Sequence, residues 1–416
     1  MDKLSDKIVM VVDSGQFVSF ADSLAKNFKK VYYYKPFVVN GFPTPSDNFV
    51  GYGYNLELVD NPFYDEENVS CYIFTDLYQA GLQKHLLSLG KNVFGAGDAE
   101  TIETDRFKFR KMLEKLNLPH APCVKIKGID KLETYLKTVR NKYVKISKYR
   151  NLHETFKHIS WDHSKSIIDS MRSSAGNLCD FVDFVVEDTI KSIIEIGFDG
   201  FIISGEFPNK TPFGFEIKDI CYLAKIMDYE KLPKVVQDIN TKMKPYLKGY
   251  KMLYSNEIRM TSKTVGYLTD PCMRNGSPPS ELYTDLYENL AEIIYFGAQG
   301  KMIQPKFKAK YGGELIITSD LLACGIEQCI EIPEEIEQWV KLRFSYKYKG
   351  KYYCIPTLNY PEVGAVIAIG DSPEEVIEKL KDYCSKIIGH DLIMKTDKLD
   401  SAIGQLSELE KIGIKF

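Results

Sequence analysis

The sequence predicts an α/β protein, α+β in parts, with an N-terminal parallel α/β domain, antiparallel lobes and a small C-terminal mixed domain. Three observations carry this. Strand and helix signals alternate over residues 1–100, β-rich segments separated by polar turns follow from about residue 140, and a capped amphipathic helix stands among short strands near the end. The chain has 416 residues, 44% of them hydrophobic and 27% charged. That is enough for two or three structural units, since single cores stop growing near roughly 250–300 residues.

In the first domain, 1–100, the strand signals "KIVMVV", "KVYYY", "CYIF" and "NVF" alternate with the helical stretches "FVSFADSLAKNF" and "LYQAGLQKHLLSLG". This rhythm gives a parallel sheet with crossover helices. Gly15 in "DSGQF" stands alone, without the spaced second and third glycines of a dinucleotide fingerprint. The second domain, 101–345, opens with a helix over "TIETDRFKFRKMLEKLNLP", where Phe109, Met112, Leu113 and Leu116 fall on one face and Pro119 stops it. Its strands are "KYVKIS", "FVVEDTI", "SIIEIGFDGFIISGEF" and "FGFEI". In the third, 346–416, "SPEEVIEKLKDYCSKII" has Ser372 as N-cap, Pro373 at the first helical position and Glu375 completing a capping box. Val376, Leu380, Tyr383 and Ile387 form its buried stripe.

A formal net charge of -3, with basic residues scattered among acids, argues against a nucleic-acid partner. No stretch approaches the roughly 20 apolar residues of a membrane span, and the N-terminal apolar run has strand length, so a cytoplasmic protein is expected. Nine cysteines without a CxxC pair fit reduced thiols. His153, His158 and His163, five apart, point to different helix faces and make no zinc site.

The stretch "NEIRMTSKTVGYLTD" reads as a hairpin turning near Ser262 and Lys263. An even loop sets Glu257 opposite Leu268 and puts Asp270 diagonally on the same face; an odd loop breaks this. Two carboxylates on one face repel unless a cation lies between them, and magnesium suits that place. The alternative is a pair of solvated acids on a sheet edge.

The blocks "FGAGDAETIETDRFKFRKMLEKLNLPHAPC", "YVKIS", "FVVEDTI", "EIGFDGFIISGE", "NEIRMT" and "TDPCMRNGSPPSE" together resemble the ATP-grasp superfamily, most of all the phosphoribosylglycinamide synthetases. The resemblance runs over nearly the whole chain in element order and is specific in these blocks. It implies the ATP-grasp fold, with nucleotide held between antiparallel lobes, and it implies ATP with Mg2+ (or Mn2+) as cofactors. Glu103 and Arg106 match the family's "E..K.F.K.F", which gives Arg106 a phosphate-contacting place. Lys145 takes the lysine that reaches the α- and β-phosphates, and Glu187, Asp188 and Ile190 lie along adenine. Glu195 is placed at the ribose or the metal, with a cross-strand ion pair as the equal alternative.

The family's "E.N.R.GDPE" is matched by Asp270 in the glutamate place, Cys272 in the asparagine place and Arg274 in the arginine place. The metal set implied is Glu257 and Asp270; because magnesium disfavours a thiol, either Cys272 simply does not ligate, the preferred reading, or Asn275 substitutes for the missing amide. Arg274 and Lys145 are the implied catalytic residues. The family's glycine-rich loop is replaced by the glycine-free "SKYRNLHETFKHISWDHS", where Ser147, Lys148, Arg150, Glu154 and Thr155 would reach phosphate or substrate through side chains. A lid over roughly residues 146–180 would exclude water. Lys218 and Asp219 follow a strand and would face substrate, though their spacing does not require it.

The activity implied is an ADP-forming ligase joining a small-molecule carboxylate to an amine through an acyl phosphate, in a monomer or homodimer. Two rivals remain: a non-catalytic nucleotide-binding protein on the same scaffold, and a carboxylase that activates bicarbonate. The second lacks a biotin-carrier-like "AMKM" stretch.

Overall fold

The computed structural model describes residues 3–36, 48–147, 155–357, 360–411, 413, 414 and 416. Near the N-terminus five parallel strands run in the order Glu57–Val59, Lys30–Tyr34, Ile8–Val12, Val69–Phe74 and Val93–Phe94. The central strand is apolar throughout because both its faces are covered. Val9 and Val11 enter the main core, whereas Met10 and Val12 pack with Tyr72 and Phe74 on the other side.

An antiparallel sheet of eight strands forms the middle of the molecule. Its order is Val265–Cys272, Lys251–Ser262, Ile194–Ile203, Lys210–Ile217, Cys221–Asp228, Tyr311–Thr318, Glu362–Gly370 and Val340–Leu342. The last two strands come from far along the chain. Helix Pro373–Lys386 covers this end, with Val376 and Leu380 buried and Tyr383 stacked on Trp339. Ser372 caps it by accepting from the Glu375 backbone N–H, while the Glu375 carboxylate accepts from Asp371 N–H rather than from the cap residue itself.

A smaller sheet, ordered Cys123–Lys127, Asp183–Asp188, Lys142–Ser147 and Thr155–His158, carries helices Ile129–Leu136 and Trp161–Ala175. It has its own core around Leu132, Val144, Ile168 and Phe184. The part of the expected lid that is described belongs to this unit. His158 is buried between Ser164 Oγ and the Val139 carbonyl, and His163 pairs with Ser160. His153 lies outside the described residues. A fourth sheet joins Ser345–Tyr348, Lys351–Cys354, Gln328–Glu331 and Ile388–Gly389.

The helix expected over "TIETDRFKFRKMLEKLNLP" is two. Thr101–Thr104 ends at Asp105, whose backbone leaves helical angles (φ -106°, ψ 81°), and Asp105 then caps Arg106–Lys115 by accepting from Lys108 N–H at 3.1 Å. An aspartate forms that cap readily, and the hydrophobic period, which skips it, does not register the break. Among the described residues no helix is long and apolar enough to cross a membrane.

Candidate active site

Residues opposite one another in an antiparallel ladder share a face, and three adjacent rows of the eight-stranded sheet are polar. One aligns Cys272, Ser255 and Asp199; the next Asp270, Glu257, Gly197 and Gly214; the third Arg259 and Glu195. Chemistry-bearing side chains therefore gather on one face of one sheet end.

The middle row departs from the sequence expectation. Leu268 lies opposite Ile258, and Glu257 lies directly opposite Asp270, because the register shifts at Thr269. Had the Ile258–Leu268 register continued, Thr269 would have faced Glu257 and Asp270 would have turned to the other side of the sheet. The bulged Thr269 instead donates its hydroxyl to Glu257 Oε1 at 2.7 Å. Arg259 Nε stands 3.1 Å from the same oxygen and 3.2 Å from Glu195 Oε2. Lys218 Nζ approaches Glu257 Oε2 at 3.8 Å. Burial, and after it the charge of Glu257, pushes the Glu195 carboxyl above its ordinary range against the pull of Arg259 and Lys218.

Facing this row across a cavity of about 140 Å³ is the small sheet, which contributes Tyr143, Lys145, Thr155, Glu187 and Asp188. Glu257, Arg259, Thr269 and Asp270 line the other wall, and Ile190 and Lys218 close its sides. Lys145, buried at the strand, is 3.1 Å from Glu187 Oε1. Arg110 takes Glu187 Oε2 at 2.9 Å and also donates to the Thr269 carbonyl at 2.9 Å, tying the two walls together. Burial raises the Glu187 carboxyl, but Lys145 and Arg110 outweigh it and hold it below the usual carboxylate range. Arg110 Nη1 is buried with no hydrogen-bond partner. Asp188 pairs with Lys142.

Arg274 is not among the residues lining this cavity. Its Nε is 3.2 Å from Glu103 Oε1 and its Nη1 is 3.8 Å from Asp76 Oδ1, at the carboxyl end of the parallel sheet. Asn275 donates its backbone N–H to the Thr75 carbonyl, and its buried side-chain nitrogen has no hydrogen-bond partner. It is not among the residues lining the cavity. Arg106 is buried and donates to the Ile146 carbonyl at 3.0 Å, so it anchors the helix Arg106–Lys115 to the strand bearing Lys145. Arg150 lies outside the described residues. Of the residues marked in the sequence, Lys145, Thr155, Glu187, Asp188, Ile190, Lys218, Glu257 and Asp270 converge on one cavity, and Glu195 adjoins it through Arg259. Sequence reasoning missed Arg110, Tyr143, Arg259 and Thr269. Arg259 had a signal: in "NEIRMT" it stands two residues after Glu257 and so on the same face.

No protein-family model matches the chain, and no curated protein matches it. Solved structures do. Phosphoribosylamine–glycine ligase from Thermotoga maritima superposes with a TM-score of 0.70 at 13% identity, over 94% of this chain and 99% of that one. The chain has the ATP-grasp fold. The biotin carboxylase domain of Hydrogenobacter thermophilus 2-oxoglutarate carboxylase, solved with MgADP, ADP and bicarbonate, shares this ATP-grasp architecture at a TM-score of 0.67 and 12% identity, covering 97% and 98% of the two chains. The L-amino acid ligase of Bacillus licheniformis does so at 0.62 and 12%, covering 94% and 99%.

Proposed function

We propose that the protein is an ATP-dependent, ADP-forming ligase that joins a carboxylate to an amine. The observation that carries this reading is the cavity with Lys145 and Glu187 on one wall and the opposed carboxylates Glu257 and Asp270 on the other. Paired oxygen donors suit magnesium better than a softer ion, and the lining carboxylates Glu187, Asp188, Glu257 and Asp270 outnumber the lining cations Lys145, Lys218 and Arg259. Glu257 and Asp270 would hold the ion. When bound, Mg2+ neutralises phosphate oxygens and orients the terminal phosphoryl group.

Each residue then has defined work. Lys145, fixed by Glu187, presents its ammonium to the nucleotide phosphates, and Asp188 and Ile190 border the base. The substrate carboxylate attacks the terminal phosphorus, the bond to ADP breaks, and Arg274, held in orientation by Glu103, meets the charge that develops. The amine nitrogen attacks the acyl carbon, phosphate leaves, and the amine gives up a proton. The small sheet and its helices shield the acyl phosphate from water.

A second reading, bicarbonate as the activated carboxylate, is favoured by the similarity to the 2-oxoglutarate carboxylase domain. One assay separates them. Purified protein with ATP and Mg2+ is offered panels of amino acids, other carboxylates and amines, then bicarbonate, with ADP release and product mass as readouts. Release that needs both a carboxylate and an amine is expected. Release on bicarbonate alone transfers the protein to the second reading, and ATP binding without release under any pairing makes it a binding protein.

A further inference from the structure

Glu257 is engaged through both carboxylate oxygens. Oε1 has Thr269 Oγ1 at 2.7 Å and Arg259 Nε at 3.1 Å, and Oε2 has Lys218 Nζ at 3.8 Å. A metal ion approaching that carboxylate meets a guanidinium already on one of its oxygens. Arg259 is itself fixed from three sides. Glu195 holds the same Nε at 3.2 Å, Glu257 holds it at 3.1 Å, and the Tyr143 ring of the opposite wall lies 5.8 Å from its Cζ. Losing Glu257 would still leave it paired with Glu195 and in contact with Tyr143.

We propose that Arg259 is a resident counter-ion for Glu257 which keeps the carboxylate pair from taking up a divalent cation until a nucleoside triphosphate arrives. The inference rests on the proposed role of Glu257 and Asp270 as the metal pair. The physical basis is charge balance. A dication placed on Glu257 within a few ångströms of a guanidinium is repelled, and in a half-buried cavity that repulsion is poorly screened. The triphosphate reverses the balance, because its negative charge enters the cavity that Arg259, Lys218 and Lys145 already line. Arg259 can then turn toward phosphate while keeping Glu195, and Glu257 becomes available to the metal. Arg259 is thus a positioning residue that sets the order of binding, and its aromatic contact with Tyr143 makes it part of the closure between the two walls.

The test uses the full-length protein and Mn2+ as the metal probe, with binding read by electron paramagnetic resonance and by calorimetry. A non-hydrolysable ATP analogue is present or absent. In the wild type, Mn2+ should bind weakly alone and at least about tenfold more tightly with the analogue. Arg259→Met should bind Mn2+ about tenfold more tightly than the wild type without nucleotide, and Arg259→Lys, which restores the charge, should return to weak binding. Tight, nucleotide-independent Mn2+ binding by the wild type overturns the proposal without any variant, so a poorly folding Arg259→Met does not protect it. Equal affinities in Arg259→Met and the wild type overturn it too. Asp270→Asn keeps this failure apart from failure of the underlying reading. If Mn2+ binding with the analogue survives Asp270→Asn, the metal pair itself is wrong; if Asp270→Asn abolishes it while Arg259→Met changes nothing, only the role of Arg259 falls.

Discussion

Glu257 stands directly opposite Asp270 because Thr269 is one residue more than the ladder needs. The bulge turns Asp270 onto the face that Glu257 occupies and leaves the Thr269 hydroxyl to hold Glu257 in place. Arg259 and Lys218 already offset the repulsion between the two facing carboxylates, so removing one should damage function and spare the fold. Asp270→Ala is expected to abolish ADP release while its thermal midpoint stays within a few degrees of that of the wild type. Wild-type turnover in Asp270→Ala would remove the pair from the mechanism.

Arg274 gives a second test, because its partners are Glu103 and Asp76 rather than Asp270 or Glu281; Glu281 is taken by Arg343. If Arg274 meets charge in the transition state, Arg274→Lys keeps the charge but loses the planar fork. kcat should then fall by roughly 10²–10³ with the KM for ATP within a few-fold. If the residue only neutralises buried Glu103, the same change should leave kcat nearly untouched and lower the melting temperature. Steady-state kinetics and a melting curve on the one variant decide between these.

What could be read in the sequence and what could not divide along physical lines. Local patterns were legible: the alternation that builds the parallel sheet, the Ser372 cap, and the strand ending near Lys145, which is Lys142–Ser147. Features set by long-range pairing were not. Nothing near residue 362 announces that Glu362–Gly370 pairs with Tyr311–Thr318 inside the central sheet. A bulge adds a residue without disturbing the apolar pattern on either side, so the hairpin was legible while the exact neighbour of Glu257 was not. Arg110 lies on the helical face beside Phe109 and reads as a solvated arginine; only the fold brings Glu187 and the Thr269 carbonyl to it.

Two glycines in the Glu257 row illustrate how packing shapes the site. A Cβ at Gly214 would lie 2.4 Å from the Tyr222 ring, and one at Gly197 would lie 2.3 Å from the Asn256 carbonyl oxygen. The missing side chain at 214 lets the Tyr222 ring lie across the sheet and reach Asp199 Oδ2 at 2.6 Å. Gly214→Ala is therefore expected to destabilise the protein by about 1–3 kcal/mol, the usual cost of overpacking, and by clearly less than that when it is made in a Tyr222→Ala background, where the ring it collides with is gone. Denaturant midpoints of the wild type, the two single variants and the double variant provide the comparison, and an equal cost of Gly214→Ala in both backgrounds would mean that the ring does not depend on the glycine.

Asp199 supplies the last prediction, which concerns pH. Its carboxylate is buried at the Asp199 end of the Cys272 row and accepts from Tyr222 and Ser255. Burial raises its pKa to about 6, and the two hydroxyl donors offset this only in part. An acid whose folded pKa lies above its unfolded value of 3.8 binds more protons in the folded state between those two values. Stability contributed by this group is therefore present below pH 3.8 and is lost as pH rises through about 6. The full cost, of order 3 kcal/mol, is expressed at neutral pH. Asp199→Asn keeps the shape and can both accept and donate toward the two hydroxyls, but it has no charge to desolvate. Relative to the wild type it should gain stability steadily from pH 4 to pH 7 and then level off, as read from urea midpoints across that range. A wild-type-minus-variant difference that does not change with pH would mean that Asp199 titrates alike in the folded and unfolded chains.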